Sequence, residues 1–325
     1  MSSSTVVVYH YFERDLTYKN NLVYFLSVGI LEDVDYYILI SGDCTVALPE
    51  RPNVTYIKTE NWNNDFGGYI KFFQVAPIDK YEFFVFINSS VRGPFLPSYT
   101  NFRWVNAFTD RLCGDVHLVG ASINILPESA THTRRFSAIY GYAPPFVHAQ
   151  TTAYALSATA VRYLMAIGFY SVDKTFTKKE VIVHYELRLS QEIIRHGWNI
   201  GSFLPGYEGL NYRELSMTYP NTSSRNGDVL FEGAFFGRTL APTEAMFVKV
   251  NRNMISEADL NSCTFTSLLS HYPQIQDFEP GMAFCGIWQD GEDHYVEYTD
   301  KDMIPKRIWE DYNLDEFFAD EPEPA

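Results

Sequence analysis

The chain has 325 residues, 46% of them hydrophobic, with 40 acidic against 25 basic residues and a net charge of −15. That length suits one large α/β domain with an appendage, or two modest domains, and the acidity disfavours nucleic acid as a partner. Cys44, Cys113, Cys263 and Cys285 show no C-x-x-C spacing, so they form neither a zinc pattern nor a disulfide framework. The charge is uneven: residues 290–325 hold 13 acids and 3 bases, which makes the acidity mostly a property of the tail. No basic stretch followed by an apolar run opens the sequence, and no apolar run approaches the length of a membrane span. The expectation is a reduced, soluble, cytoplasmic protein without a transmembrane segment. The aromatic share of 16% is high, and it suits a Phe/Tyr-rich core with rings to spare for a sugar-binding cleft.

Residues 5–11 read as the first strand, where Val6, Val7 and Val8 suit a buried parallel position. A helix follows over residues 17–30, with Leu22, Phe25, Leu26 and Ile30 on one stripe. Residues 35–40 form the next strand and end at Ser41. Two further runs, 54–57 and 83–87, are rich in β-branched and aromatic residues. Between them residues 66–75 have the length of a crossover helix, so the stretch is a βαβ unit of a parallel sheet. Polar clusters follow both strands, at 59–65 and 88–92. Ligand crevices of open α/β sheets lie at such strand ends, which places the active site there. No G-x-G-x-x-G follows the first strand and no P-loop lysine motif occurs, which disfavours a dinucleotide fold and a P-loop enzyme.

Beyond Pro94 and Pro97 the reading is a helix over 98–111 and a strand over 116–119. Residues 126–145 read as an irregular functional flap carrying Arg134 and Arg135. Residues 146–156 read as a strand and 158–167 as a helix. The capping box Thr177-Lys178-Lys179-Glu180 opens a helix predicted to run to His196 and stop at Gly197. Residues 198–203 are extended, 207–228 a long surface loop, and 239–250 close a main domain spanning 1–252. A soft boundary near Asn253 leaves an appendage over 253–325. It begins with a candidate helix and ends in an acidic tail whose composition favours disorder.

Several residues could carry chemistry. Asn61 and Asp65 are most simply helix N-caps. Beside a crevice they could also bind the base or ribose of a nucleotide, and the helix start could attract phosphate. Asn88, Ser90 and Arg92 offer amide, hydroxyl and guanidinium groups. Arg92 suits a diphosphate, or else a structural ion pair. His148 and Gln150 lie two apart on a predicted strand and so share a face, although a strand histidine is often only a core residue. Arg134 and Arg135 are either solvated or close on phosphate. Glu186 shares a predicted helical face with Ile182, Leu189 and Ile193. A carboxylate on an apolar stripe is costly unless paired or functional. It is therefore half of a buried ion pair with Arg188 or Arg162, or a general base with its pKa raised by partial burial.

Together these segments resemble the rhamnan-synthesis type of bacterial polysaccharide glycosyltransferases and their algal, fungal and viral relatives. That family's signature runs close to E-N-x-G-x-D-F-G, then N-D-S-x-x-G-P, then H-x-Q-S. The matches are Glu60-Asn61 with Asp65-Phe66-Gly67, then Asn88, Ser90, Gly93 and Pro94, then His148 and Gln150. Asn63 stands in place of a glycine, Ser89 of an aspartate and Thr151 of a serine. The helix after the capping box also resembles the E-D-x-D-L-x-x-R-x-x-x-x-G motif of inverting GT-A glycosyltransferases. Aligned on Gly197, Tyr185 takes the place of the first acid and Glu186 that of the second, the general base. Arg188 and Glu192 stand where an acid and an arginine are usual.

The resemblance implies a GT-A-like, Rossmann-like α/β fold with a mostly parallel central sheet, helices on both faces and a C-terminal appendage. It implies an inverting nucleotide-sugar-dependent hexosyl or deoxyhexosyl transferase of polysaccharide biosynthesis, acting on a glycan or glycoconjugate acceptor. Glu186 and His148 would be catalytic. The donor would meet Tyr9, His10, Ser41, Asn61, Asp65, Asn88, Ser90, Arg92, Gln150, Arg134 and Arg135. Ser89 removes the nearest equivalent of an Asp-x-Asp metal clamp, so no metal ligand is assigned and manganese or magnesium stays open as a cofactor. The rival reading is a catalytically inactive carbohydrate- or nucleotide-binding protein on the same fold.

Overall fold

The computed structural model describes residues 4–171, 173–215, 228–252 and 254–271. The expected boundary at Asn253 and the acidic tail lie outside the described residues. The strands in chain order are β1 (Thr5–Tyr11), β2 (Asp35–Ser41), β3 (Val54–Thr59), β4 (Phe83–Asn88), β5 (Val91–Arg92), β6 (Val116–Gly120), β7 (Ile123–Ile125), β8 (Val147–Ala149), β9 (Ala153–Ser157), β10 (Asn199–Ser202) and β11 (Val248–Lys249). The helices are α1 (Leu16–Val28), α2 (Asp65–Val75), α3 (Asn106–Thr109), α4 (Thr131–Tyr140), α5 (Ala158–Ala166), α6 (Lys178–Val181), α7 (Arg188–Arg195), α8 (Pro242–Ala245) and α9 (Glu257–His271).

Seven strands form the central sheet in the order β10-β6-β9-β4-β1-β2-β3. The block β4-β1-β2-β3 is parallel throughout, and β9 runs antiparallel to both its neighbours. This is the mostly parallel α/β sheet that the sequence implied. Val6, Val7 and Val8 have no exposed surface, as a central strand covered on both faces requires. Tyr9 and His10 point to opposite faces. Tyr9 stacks on Phe25 of α1, while His10 meets Tyr69 of α2 edge-on. The chain winds from β1 outward to β3 and then returns across β1 to β4. Strand order therefore reverses between β1 and β4, where His10 and Asn88 are register partners. That reversal opens a crevice at the carboxyl ends of the two strands.

Five predicted elements differ. The helix over 98–111 shrinks to α3, because Tyr99, Thr100, Asn101 and Phe102 are weak helix formers close behind two prolines. The irregular stretch 126–145 contains α4 instead. Phe136 of α4 is fully buried against Val183 and Leu187, and Gly141 ends the helix at φ 68°. The strand over 146–156 splits into β8, which pairs with β7, and β9 in the main sheet. The helix over 178–196 opens with its capping box in place, then widens into a π-helical turn over Ile182–Leu187 before α7. Part of the predicted surface loop is packed inward, since Tyr207 and Tyr212 are fully buried. Helix α9 docks on α1, with the Tyr24 hydroxyl donating to Ser267 Oγ at 2.7 Å.

Candidate active site

A cavity of about 790 Å³ opens at the switch point. Its floor comes from strand ends and the first turn of α2. His10 Nε2 lies 2.7 Å from Ser41 Oγ, which lies 2.7 Å from Thr59 Oγ1. Burial pushes the His10 imidazole down to about 3, so it is neutral across physiological pH. The backbone of α2 comes close here: a Cβ on Gly68 would lie 2.6 Å from His10 Cδ2. Asp65 accepts from Asn88 Nδ2 at 3.2 Å, and Asn88 Oδ1 accepts from the Ser90 amide at 3.1 Å. Burial raises the Asp65 carboxyl to about 7, with a further push from the Glu186 charge. The turn into α2 needs two left-handed residues, Asn63 and Asn64, a conformation that asparagine tolerates. Asn63 locks that turn by accepting from the Phe176 amide at 2.6 Å and donating to the Lys174 carbonyl at 2.8 Å.

One wall comes from the capping-box segment. Lys178, Ile182 and Glu186 line the cavity. The π turn changes the expected face. Tyr185 stacks on Phe66 at 4.5 Å and Leu189 and Ile193 enter the core, while Ile182 and Glu186 turn to the cleft. Single π turns recur at functional sites. Arg188 pairs with Glu192 at 2.9 Å and not with Glu186, and Arg162 is exposed. The buried ion pair expected of Glu186 is therefore absent among the described residues. Glu186 is half-buried and makes no hydrogen bond or ion pair with them. Burial raises its carboxyl above the usual range, opposed by Lys249, Lys178 and Arg252.

The remaining walls are the β7–β8 hairpin and residues 228–252. Asn124 and His148 are cross-strand partners and both line the cleft. Asn124 Oδ1 is buried without a hydrogen bond to the described residues. Burial pushes the His148 imidazole down to about 4. Gln150 accepts from Ser122 Oγ and donates to Asp228 Oδ1 at 3.0 Å. Arg252 lies 3.3 Å from the other oxygen of Asp228. Lys249 reaches the floor because β11 pairs with β5, setting Lys249 opposite Val91, and its Nζ donates to Ser90 Oγ at 3.4 Å.

One cavity thus gathers His10, Asn61, Asp65, Asn88, Ser90, His148, Gln150 and Glu186. Five candidates lie elsewhere. Tyr9 faces α1 on the other side of the sheet. Ser41 is fully buried behind His10. Arg92 is fully buried and donates to Asn21 Oδ1 at 2.9 Å and Asn261 Oδ1 at 2.8 Å, so its role is structural. Arg134 and Arg135 are exposed on α4, where Arg135 faces Glu180 at 3.7 Å. Sequence reasoning missed Asn124, His132, Asp228, Lys249 and Arg252, and took Lys178 only as part of a cap. For Lys249 a signal existed: it is the single charge in the apolar run 245–250.

The Asn88-Ser89-Ser90 stretch does not fit a divalent cation. Such ions want anionic oxygen. Asn88-Ser89-Ser90 supplies none, and Ser89 Oγ accepts from the Phe12 amide at 3.2 Å instead of facing the cleft. Among the described residues no group of three or more His, Cys, Asp or Glu is placed to hold a metal.

No protein-family model matches the chain, so membership of the rhamnan-synthesis family is not confirmed, and no curated protein matches it. Solved structures do. The mannosyltransferase PcManGT from Pyrobaculum calidifontis, in complex with GDP-Man and Mn2+, matches at 14% identity and a TM-score of 0.38, over 61% of this chain and 54% of its own. The galactosyltransferase LgtC, in complex with donor and acceptor sugar analogs, matches at 12% identity and 0.32, over 55% and 69%. The mannosyltransferase Ktr4p from S. cerevisiae, in complex with GDP, matches at 11% and 0.32, over 62% and 69%. This chain spans about half the length of the first of these. Likeness this distant says nothing of residues or reaction. No helix among the described residues is long and apolar enough to cross a membrane.

Proposed function

We propose that this protein is an inverting glycosyltransferase that moves a hexosyl or deoxyhexosyl group from a nucleotide sugar to a hydroxyl of a glycan or glycoconjugate. The observation that carries the reading is Glu186. Its carboxylate opens into a crevice at the switch point of a parallel sheet, free of any ion pair with the described residues, in the place the helix motif gives to the general base. The acceptor oxygen attacks the anomeric carbon, the bond from that carbon to the diphosphate oxygen breaks, and the acceptor proton passes to Glu186. The leaving diphosphate keeps the bonding electron pair, and its growing charge needs fixed positive charge or N–H donors. A carboxyl raised by burial is a better match to a hydroxyl proton than an ordinary one. In this reading His10, Asn88 and the first turn of α2 hold the nucleotide, supported by their common place on the cleft floor. His148 and Gln150 supply polar groups on the hairpin side.

Ser89, in the place of an acid, favours a second reading in which the cleft binds a nucleotide sugar without turnover. Incubation with a panel of nucleotide sugars and glycan acceptors separates the two. Release of free nucleoside diphosphate coupled to sugar transfer is expected. Glu186→Gln should lower that rate by roughly 10²–10⁴-fold and leave donor binding in place. Binding without release, equal in both proteins, would establish the second reading.

A further inference from the structure

In the family signature an aspartate stands where Ser89 is, and Asn88-Ser89-Ser90 offers no anionic oxygen to a divalent cation. A different cation occupies the neighbourhood. Lys249 brings its ammonium to Ser90 Oγ, 3.4 Å away, at the end of that same stretch. The position is fixed by backbone pairing, since β11 lies antiparallel to β5, which begins one residue after Ser90. Lys249 makes no ion pair with the described residues. Glu186, Asp228 and Asp65 act on it only through space. A half-buried ammonium that no carboxylate touches directly among the described residues keeps N–H donors for an incoming anion. Arg252 differs, because Asp228 already engages it at 3.3 Å. Lys178, exposed and lining the same cavity, offers a second positive charge.

We propose that Lys249 replaces the divalent cation and binds the diphosphate of the donor, so that nucleotide binding here is metal-independent. The proposal rests on the reading of the cleft as a nucleotide-sugar site. An ammonium brings one positive charge and three N–H donors to diphosphate oxygens, which a point-charge site on phosphate requires. Lys178 adds the second charge that a divalent ion would have carried. The leaving diphosphate then departs towards fixed protein charge.

The test is calorimetric titration of the full chain with UDP, GDP, ADP and dTDP, and with the matching nucleosides. Each titration is run once in EDTA and once in manganese or magnesium. One diphosphate should bind equally in both conditions and more tightly than its nucleoside. Lys249→Met should weaken that diphosphate roughly tenfold or more, the worth of one hydrogen bond to a charged group, and leave the nucleoside unchanged. Lys249→Gln, with a neutral polar head, should behave as Met does, and the wild-type comparison in EDTA needs no variant to fold. Diphosphate binding that appears only with metal, or that survives Lys249→Met at wild-type strength, would overturn the proposal while leaving the glycosyltransferase reading intact. No diphosphate binding in either condition would remove both.

Discussion

His10, Asp65 and Asn88 stand on strand ends and a helix start that the sheet holds in register, and each finds a partner inside the protein. Lys178 and Glu186 stand on the capping-box wall, on a short helix and a π turn, and Lys249 reaches the floor from a two-residue strand. None of these three makes an ion pair with the described residues. The first region is a closed network in which burial keeps the imidazole neutral and pulls the carboxyl towards neutrality. The second keeps its charge turned outward. Groups that satisfy one another shape a site, whereas groups left unsatisfied await a ligand. The same contrast sets Arg92 apart: its guanidinium is held by Asn21 and Asn261 and does not line the cleft.

The hardest way to break this division is at Arg92. Arg92→Met leaves Asn21, Asn261 and Thr264 with unmet polar groups. Urea unfolding should show a loss of about 3 kcal/mol, from charged hydrogen bonds worth roughly 1.5–3 kcal/mol each. Protein that remains folded should bind nucleoside diphosphate as the wild type does. Weakened diphosphate binding at unchanged stability would move Arg92 to the ligand-facing region.

Asp65 sharpens the contrast through pH. Its carboxyl titrates at 3.8 when unfolded and at about 7 when folded, so between those values only the folded state keeps the proton. Stability therefore falls as pH rises from 3.8 to about 7, by on the order of a few kcal/mol. Glu186, also raised, acts in the same direction. His10 and His148, lowered to about 3 and about 4, act the other way, because their contribution is present above 6.5 and lost as pH falls below it. The wild type should show a shallow profile in which these slopes offset. Asp65→Asn should be more stable than wild type at neutral pH, and the gap should close towards pH 4, near the carboxyl's unfolded value. A constant difference across that range would mean that Asp65 is ionised in the folded protein.

The smallest effect is expected outside the cleft altogether. Arg134→Ala changes an exposed residue of α4 and should leave melting temperature and diphosphate affinity nearly unchanged, within about 0.5 kcal/mol. A clear loss of affinity would mean that α4 swings over the bound ligand.

The parallel block was legible because its information is local. Runs such as Val6–Val8 and the polar clusters that end β3 and β4 state their own structure, and strand ends in such sheets define the crevice. Asp65 and Asn88 were read from those strand ends, Glu186 from a charge on an apolar stripe, and His10 only through the family resemblance. The stripe itself was misread, because a π turn cannot be seen in a 3.6-residue period. Helix α4 was hidden because residues 131–140 favour no helix by themselves; Phe136 holds them in place by entering a small core with Val183 and Leu187. The cations were beyond reach for a different reason. Which of them meets the ligand depends on pairings between distant parts of the chain: β11 with β5 carries Lys249 to the floor, and α9 on α1 brings Asn261 to the buried guanidinium of Arg92. Alternation along a strand fixes which way a side chain points, but only long-range packing decides what it points at.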